Sequence, residues 1–340
     1  MKEIVRDLLL TFPGLSLNKL SNAAKVLGSY YAARTTKSPD VYGMPISISF
    51  EPTTSCNLGC PECPSGLKKF TRPTGHMTPD LFAQTLLQLR EHLVWANFYF
   101  QGEPFLNPAF LEMVSMAAKA GIYTSTSTNA HFLRTPVARA TVDSGLHRLI
   151  VSIDGTTQEV YESYRQGGSL EKAFSGVENL LAARQASGKK TPFVVLQFLA
   201  TSANEHQIPE VRRLGKAMGV DDVRIKTAQF YNYRNGHPLM PANEKYSRYR
   251  KDEKGSYTIK NPLYNHCWKM WHSCVITWDG LVVPCCFDKD AKHVLGDLKA
   301  NTFKEIWKGE KYISFRKSLL NARSQIDICT NCTEGTKVWA

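Results

Sequence analysis

No apolar stretch among the 340 residues approaches the length that crosses a bilayer. Nor does the N-terminus show a positive region, an apolar core and a small-residue cleavage site in series. A soluble, cytoplasmic protein is the expectation. Low-complexity runs and internal repeats are also absent, and 43% hydrophobic with 11% aromatic residues exclude a disordered chain. Acid is in short supply: 30 Asp and Glu against 42 Lys and Arg leave a net charge of +12. That favours anionic partners in general, but the basic residues are scattered and form no nucleic-acid or lipid-binding block. The most informative gap is in cysteine. None occurs between Cys63 and Cys267, so the nine fall into two groups: Cys56, Cys60 and Cys63, then Cys267, Cys274, Cys285, Cys286, Cys329 and Cys332. An odd count without a secretory signal argues against a disulfide framework and for reduced thiolates holding metal.

The length exceeds that of a usual single core, so one large domain with a smaller companion is expected. Residues 1–43 read as two amphipathic helices broken at Pro13-Gly14, with apolar positions Ile4, Val5, Leu8 and Leu9, then Leu17, Leu20, Ala24, Leu27 and Tyr31. Packing on the main domain is the ordinary use of such a stripe; peripheral contact with a membrane surface is the other. From residue 44 to 228, strand-like runs alternate with helical ones. The strands are expected at Ile46–Phe50, Asn97–Gln101, Ile122–Thr126, Leu149–Ile153, Phe193–Leu199 and Val223–Thr227. Helices are expected at Pro79–His92, Pro108–Ala120, Leu170–Ser187 and Ile208–Met218, several opening at Pro or a capping residue. This order predicts an α/β fold, a partial (β/α)6 TIM-like barrel with a parallel sheet and working residues at the C-terminal strand ends. Past about Ala228 the rhythm fails, and residues 229–340 read as a small cysteine-rich domain that would profit from a metal staple.

Cys56, Cys60 and Cys63, with three and two residues between them, follow the first strand directly. Three thiolates on one loop satisfy three irons of a cubane cluster, whereas a closed zinc site needs a fourth ligand. The pattern resembles the radical S-adenosylmethionine (radical SAM) superfamily. That resemblance implies a 4Fe-4S cluster whose open iron is chelated by S-adenosyl-L-methionine, and reductive cleavage to a 5'-deoxyadenosyl radical. Glu62 stands where relatives often carry an aromatic residue beside the adenine. Later strand ends match the family in order. Gln101-Gly102-Glu103-Pro104 resembles its Gly-Gly-Glu-Pro motif, with Gly102 and Glu103 holding the cofactor ammonium. Asn129, Ser152 and Asp154 occupy positions that contact ribose or carboxylate, and Arg165 stands where an arginine meets the cofactor carboxylate.

The C-terminal cysteines resemble a SPASM domain or its shortened twitch form. The resemblance implies one auxiliary 4Fe-4S cluster on Cys267, Cys285, Cys329 and Cys332, with Cys286 a buried thiol and Cys274 a reserve ligand. A four-cysteine structural zinc is the alternative that this spacing alone permits. Trp278-Asp279-Gly280 reads as a hairpin turn.

A fully ligated second cluster suits electron transfer, and the resemblance implies a two-electron oxidation or modification of a peptide or protein side chain. Dehydrogenation of a sugar, cyclitol or lipid-linked small alcohol is the competing reading. Candidate catalytic bases are Asp288, Lys226 and His293, which must come within hydrogen-bond reach of a substrate. The implied reductant is a flavodoxin or ferredoxin, acidic carriers suited to a basic surface. A zinc-stapled nucleic-acid-binding protein would also account for +12. It leaves the strand-end motifs without purpose, so no nucleic-acid partner is expected.

Overall fold

The computed structural model describes residues 2–338, with the side chains of residues 2–5 and Leu8 outside the described set. Two helices lead in, α1 (Lys2–Thr11) and α2 (Leu17–Thr36), separated by a 3-10 turn at Phe12–Gly14. Strand and helix units follow: β1 (Ser47–Phe50) with α3 (Pro64–Leu67) and α4 (Pro79–Leu89), β2 (Trp95–Asn97) with α5 (Phe110–Lys119), and β3 (Tyr123–Thr128) with α6 (Thr135–Asp143). Then come β4 (Arg148–Ser152) with α7 (Gln158–Tyr164) and α8 (Leu170–Ala186), β5 (Phe193–Ala200) with α9 (Ile208–Met218), and β6 (Asp222–Thr227). The six strands pair in parallel and in sequence order, and the sheet stays open as a partial barrel. Helix starts follow local chemistry. Thr78, Thr157 and Ser169 each accept a backbone N–H as caps of α4, α7 and α8.

The C-terminal segment opens with an antiparallel ribbon, β7 (Tyr249–Lys251) and β8 (Tyr257–Ile259). It continues through α10 (Lys269–His272), β9 (Ser273–Ile276), β10 (Leu281–Val283), β11 (Gly296–Asp297), α11 (Phe303–Lys308) and α12 (Glu310–Ala322). The expected hairpin turn is present between β9 and β10, with Gly280 at φ +93°. β9 then pairs in parallel with β1, from Ser47 opposite Ser273 to Phe50 opposite Ile276. One nine-stranded sheet therefore runs β11-β10-β9-β1-β2-β3-β4-β5-β6. Beneath it Phe50, Phe82, Phe98 and Phe110 are buried; the Phe50 ring meets Phe82 edge-on at 4.9 Å and stacks on Phe98 at 5.8 Å. Each such pair adds about 0.5–1.5 kcal/mol beyond area burial and fixes the strand ends that carry the first cysteine loop.

Two expectations need correction. The second strand is Trp95–Asn97 rather than Asn97–Gln101, because the chain leaves the sheet after Asn97 and residues 99–103 line a cavity instead. Most of the described apolar stripe of the leading helices faces outward: Leu9, Leu17, Leu20, Ala24 and Tyr31 are exposed, whereas Leu27 packs on the core. The buried face of α2 carries Lys19, Asn22, Val26, Ser29, Tyr30 and Ala33. Polar anchors select it. The Lys19 ammonium donates to the Gly121 carbonyl at 2.9 Å, Asn22 exchanges two 2.8 Å bonds with the Met44 backbone, and the Tyr30 hydroxyl lies 2.9 Å from His266 Nδ1. Ile4, Val5 and Leu8 belong to the side chains outside the described set.

On α1, Asp7 accepts the Tyr123 hydroxyl at 2.7 Å and pairs with Arg148, while Arg6 lies over the Phe193 ring and pairs with Asp221. These partners sit at or just before the starts of β3 to β6, so α1 covers the N-terminal end of the barrel. The opposite end is left for chemistry. No helix among the described residues is long and apolar enough to cross a membrane.

Candidate active site and cysteine groups

The chain leaves β1 at Glu51, whose fully buried carboxylate takes two bonds from Arg72, at 2.8 and 2.5 Å, and one from the Trp278 backbone at 3.2 Å. Burial pushes this carboxyl up, against the opposing pull of Arg72. The pair ties the end of the first cysteine loop to the β9–β10 hairpin. Within that loop Cys56, Cys60 and Cys63 line one cavity of about 270 Å³. Gly102, Glu103, Asn129, Ser152 and Arg165, from the ends of β2, β3 and β4 or the segments beyond them, line the same cavity. At Gly102 the backbone has φ +73°, and a Cβ would sit 2.3 Å from the Thr53 carbonyl oxygen. Only glycine brings the two loops this close.

Glu103 is buried and already hydrogen-bonded. It accepts the Thr128 hydroxyl at 2.7 Å and the Asn129 N–H at 2.8 Å, yet burial raises its carboxyl to about 7. Beside it the buried Gln101 donates to the Phe100 carbonyl at 2.8 Å, and its Oε1 has no partner among the described residues. An unpartnered acceptor next to a carboxylate suits a cationic group, so the cavity fits the ammonium of S-adenosylmethionine, and its three thiols fit three irons of a cubane. Arg165 reaches in with Nη1 at 3.9 Å from Cys60 Sγ, held by a 2.5 Å bond from Nε to Asp154. Asp154 is fully buried, also accepts the Leu199 N–H at 2.7 Å, and does not line the cavity. Its bond to Arg165 holds that guanidinium in place.

None of the three expected bases lines the cavity. The Asp288 carboxylate is consumed by its own loop, accepting the N–H groups of Lys292 and His293 at 2.8 and 2.9 Å. His293 pairs with Asp327 at 2.7 Å beside Phe315, and Lys226 stands exposed on β6. The cavity is instead lined by Lys289, which sequence reasoning passed over. Its flanking acids hold the loop. Asp288 caps it from within, and Asp290 accepts the Thr71 N–H at 2.8 Å; the Lys289 ammonium lies 4.8 Å from the Tyr231 ring centroid. Glu62 serves another loop: it pairs with His237 at 3.3 Å and accepts the Tyr231 N–H at 3.2 Å, drawing residues 231–237 toward the cavity. Tyr99, also unforeseen, lines the cavity and lies near Lys269 and Cys286.

In the second group the fold brings Cys267, Cys285, Cys329 and Cys332 together. Cys285 lies near Cys267 and Cys332, and the Arg323 guanidinium, 3.5 Å from Cys332 Sγ, lies near Cys267 and Cys329 as well. A Cβ on Gly335 would sit 2.4 Å from Cys267 Sγ. Cys286 turns toward Lys269, 3.9 Å from its ammonium. Cys274, expected as a reserve ligand, lies on β9 against Tyr312 and Arg316. Among the described residues no three His, Cys, Asp or Glu side chains converge as one ion requires. A single zinc draws four sulfurs to about 2.3 Å from one point, and a cubane holds them farther apart. Burial pushes the thiols of Cys56 and Cys332 up to about 12 and that of Cys329 to about 11. Without a cation they keep their protons, and metal binding releases them.

Comparison with known proteins gives two domain matches and a set of relatives. The profile of the Radical SAM superfamily matches residues 50–197, and that of the SPASM iron-sulfur cluster-binding domain matches residues 267–333. The chain is 25% identical over 329 residues to a tungsten-containing aldehyde ferredoxin oxidoreductase cofactor-modifying protein of Pyrococcus furiosus, covering 84% of this chain and 86% of that one. It is 25% identical to an S-adenosyl-L-methionine-dependent 2-deoxy-scyllo-inosamine dehydrogenase of Niallia circulans, covering 84% and 91%. A PqqA peptide cyclase of Rhodopseudomonas palustris is 27% identical over 206 residues, 59% of this chain and about half (52%) of the relative. In fold, the crystal structure of BtrN in complex with AdoMet and 2-DOIA superposes with a TM-score of 0.54 at 22% identity, covering 86% of this chain and 94% of that one.

Proposed function

The chain belongs to the radical SAM superfamily and carries a SPASM domain, and from that premise we propose that it oxidises or otherwise modifies a peptide or protein side chain by hydrogen abstraction. S-adenosylmethionine, cleaved reductively at a 4Fe-4S cluster, supplies the 5'-deoxyadenosyl radical for that step. Cys56, Cys60 and Cys63 hold this cluster, Gln101 and Glu103 receive the cofactor ammonium, and Arg165, set by Asp154, faces its carboxylate. Asn129 and Ser152 complete the wall. Cys267, Cys285, Cys329 and Cys332 hold one auxiliary 4Fe-4S cluster. That centre would supply a one-electron acceptor, so that loss of a hydrogen atom to the radical and of a proton to solvent or a cavity base would complete a two-electron oxidation. The observation that supports the reading is the segregation of the thiols: Cys56, Cys60 and Cys63 line a cavity with cofactor-binding chemistry, and none of Cys267, Cys285, Cys329 and Cys332 does, the first, third and fourth of these being buried.

The peptide assignment draws support from the PqqA peptide cyclase relative. Dehydrogenation of a small alcohol is the second reading, favoured by the dehydrogenase relative, which is matched over 91% of its length. An acidic flavodoxin or ferredoxin supplies the first electron, and the exposed Leu9, Phe12, Leu17 and Leu20 support peripheral contact with a membrane surface.

Iron and sulfide analysis with Mössbauer spectroscopy on anaerobically reconstituted protein tests the proposal. About eight irons are expected, and about four in Cys56→Ala/Cys60→Ala/Cys63→Ala. Four irons with one zinc in the wild type would refute the auxiliary cluster, and no iron would refute the whole reading.

A further inference from the structure

Arg323 follows α12 and is fully buried within the C-terminal cysteine group. Its Nη1 donates to the carbonyl oxygens of His266 at 2.8 Å and Tyr264 at 3.4 Å. Nη2 donates to the Glu334 carbonyl at 2.9 Å and to Cys332 Sγ at 3.5 Å. Cys267 and Cys329 lie against the same guanidinium. Among the described residues no carboxylate pairs with it; the nearby Glu334 carboxylate is taken by Lys269. A guanidinium keeps its proton in a protein, and a buried cation without a countercharge costs several kcal/mol. The other fully buried arginine, Arg316, has aromatic faces for company: Trp307 at 4.5 Å and Tyr312 at 4.6 Å. Arg323 has sulfur.

We infer that Arg323 is a fixed positive charge that raises the reduction potential of the auxiliary cluster and so makes that cluster an electron acceptor. The inference rests on the assignment of Cys267, Cys285, Cys329 and Cys332 to that cluster. Reduction adds a negative charge at the centre of the four thiolates, and a cation in the same low-dielectric enclosure stabilises the reduced form more than the oxidised one. Net charge, hydrogen bonds to sulfur and solvent exposure are the levers a protein holds over a cluster's potential. Arg323 supplies the first two at once, and the burial of Cys267, Cys329 and Cys332 supplies the third. An electron leaving an oxidised substrate then has a lower-energy destination than the cluster at the cavity, where the Arg165 charge is already shared with Asp154. Arg323 touches neither substrate nor cofactor, so its role is to set the poise of a neighbour.

The Cys56→Ala/Cys60→Ala/Cys63→Ala protein isolates the auxiliary cluster for a redox titration followed by electron paramagnetic resonance. Adding Arg323→Gln should lower the ratio of reduced to oxidised cluster at a fixed solution potential at least tenfold, about 59 mV for a one-electron couple. Arg323→Lys, which keeps the charge, should stay nearer the parent than Arg323→Gln, and both should retain the parent's iron. An unchanged ratio in Arg323→Gln would overturn the inference while leaving the cluster assignment standing. Loss of iron from both Arg323→Gln and Arg323→Met, with Arg323→Lys still loaded, would also overturn it by making Arg323 a structural residue. A parent triple variant without iron would take down the cluster assignment and the inference together.

Discussion

Glu103 offers the sharpest test of the cofactor cavity, because its burial makes its charge depend on pH in the working range. Its carboxyl is raised to about 7 by burial, against the bonds from Thr128 and Asn129. Only the ionised form attracts an ammonium. The apparent dissociation constant for S-adenosylmethionine should therefore scale as one plus the ratio of protonated to ionised Glu103. That factor rises about fivefold between pH 7 and pH 6, close to 1 kcal/mol, and about tenfold more by pH 5. The cofactor's own amine titrates near 7.7–8.0 and is largely protonated across this window, so it does not produce the loss. Equilibrium binding by anaerobic calorimetry should show the decline in wild type and a nearly flat, weak profile in Glu103→Gln. A wild-type profile flat from pH 7 down to pH 5, or a Gln variant that falls in parallel, would refute the assignment of Glu103 to the ammonium. Stability of the cofactor-free protein should run the other way. With its folded pKa above the unfolded value, Glu103 holds a proton in the folded chain that the unfolded chain has lost, so its contribution rises as pH falls from about 7 toward 4.5.

Three further outcomes follow from the geometry. Glu51→Gln strands Arg72 without its buried carboxylate and should cost about 3–5 kcal/mol in denaturant unfolding; a loss under about 1 kcal/mol would refute the linchpin role of the pair. Gly102→Ala forces a Cβ against the Thr53 carbonyl at a left-handed backbone position, and should cost at least about 1–3 kcal/mol and weaken cofactor binding in the same calorimetric assay. Cys274→Ala should leave iron and sulfide content unchanged, since this thiol lies against Tyr312 and Arg316; loss of about four irons would make it a ligand after all.

What the sequence disclosed and what it hid divide along a physical line. That Cys56, Cys60, Cys63, Gly102, Glu103, Asn129, Ser152 and Arg165 share one cavity was legible, because strand and helix alternation places successive strand ends around one mouth. Asp288 stays out of the cavity because its carboxylate is spent on its own loop, on N–H groups four and five residues ahead. Lys289, between two such acids, had no local signature; its aim depends on Asp290 meeting Thr71 across the molecule. In the leading helices only Leu27 of the described stripe faces the core, because Lys19 and Asn22 bury themselves on specific carbonyl and amide partners that periodicity does not register. Arg323 is a single basic residue in an ordinary run, and only the convergence of residues 264–267 with 329–335 gives it meaning.

The parallel pairing of β9 with β1 bears on how the chain is made. β1 is an interior strand whose second neighbour is not synthesised until residues 273–276. At about 5–20 residues per second, the strand that carries the chain into Cys56, Cys60 and Cys63 waits roughly 10 to 45 s with one edge open. Through that interval the nascent protein presents an unpaired strand edge, the feature most prone to mispairing and aggregation. A fragment ending at residue 228 would carry that exposed edge permanently. The change in composition near residue 229 therefore marks a boundary in the text of the sequence and not a place where the protein can be cut.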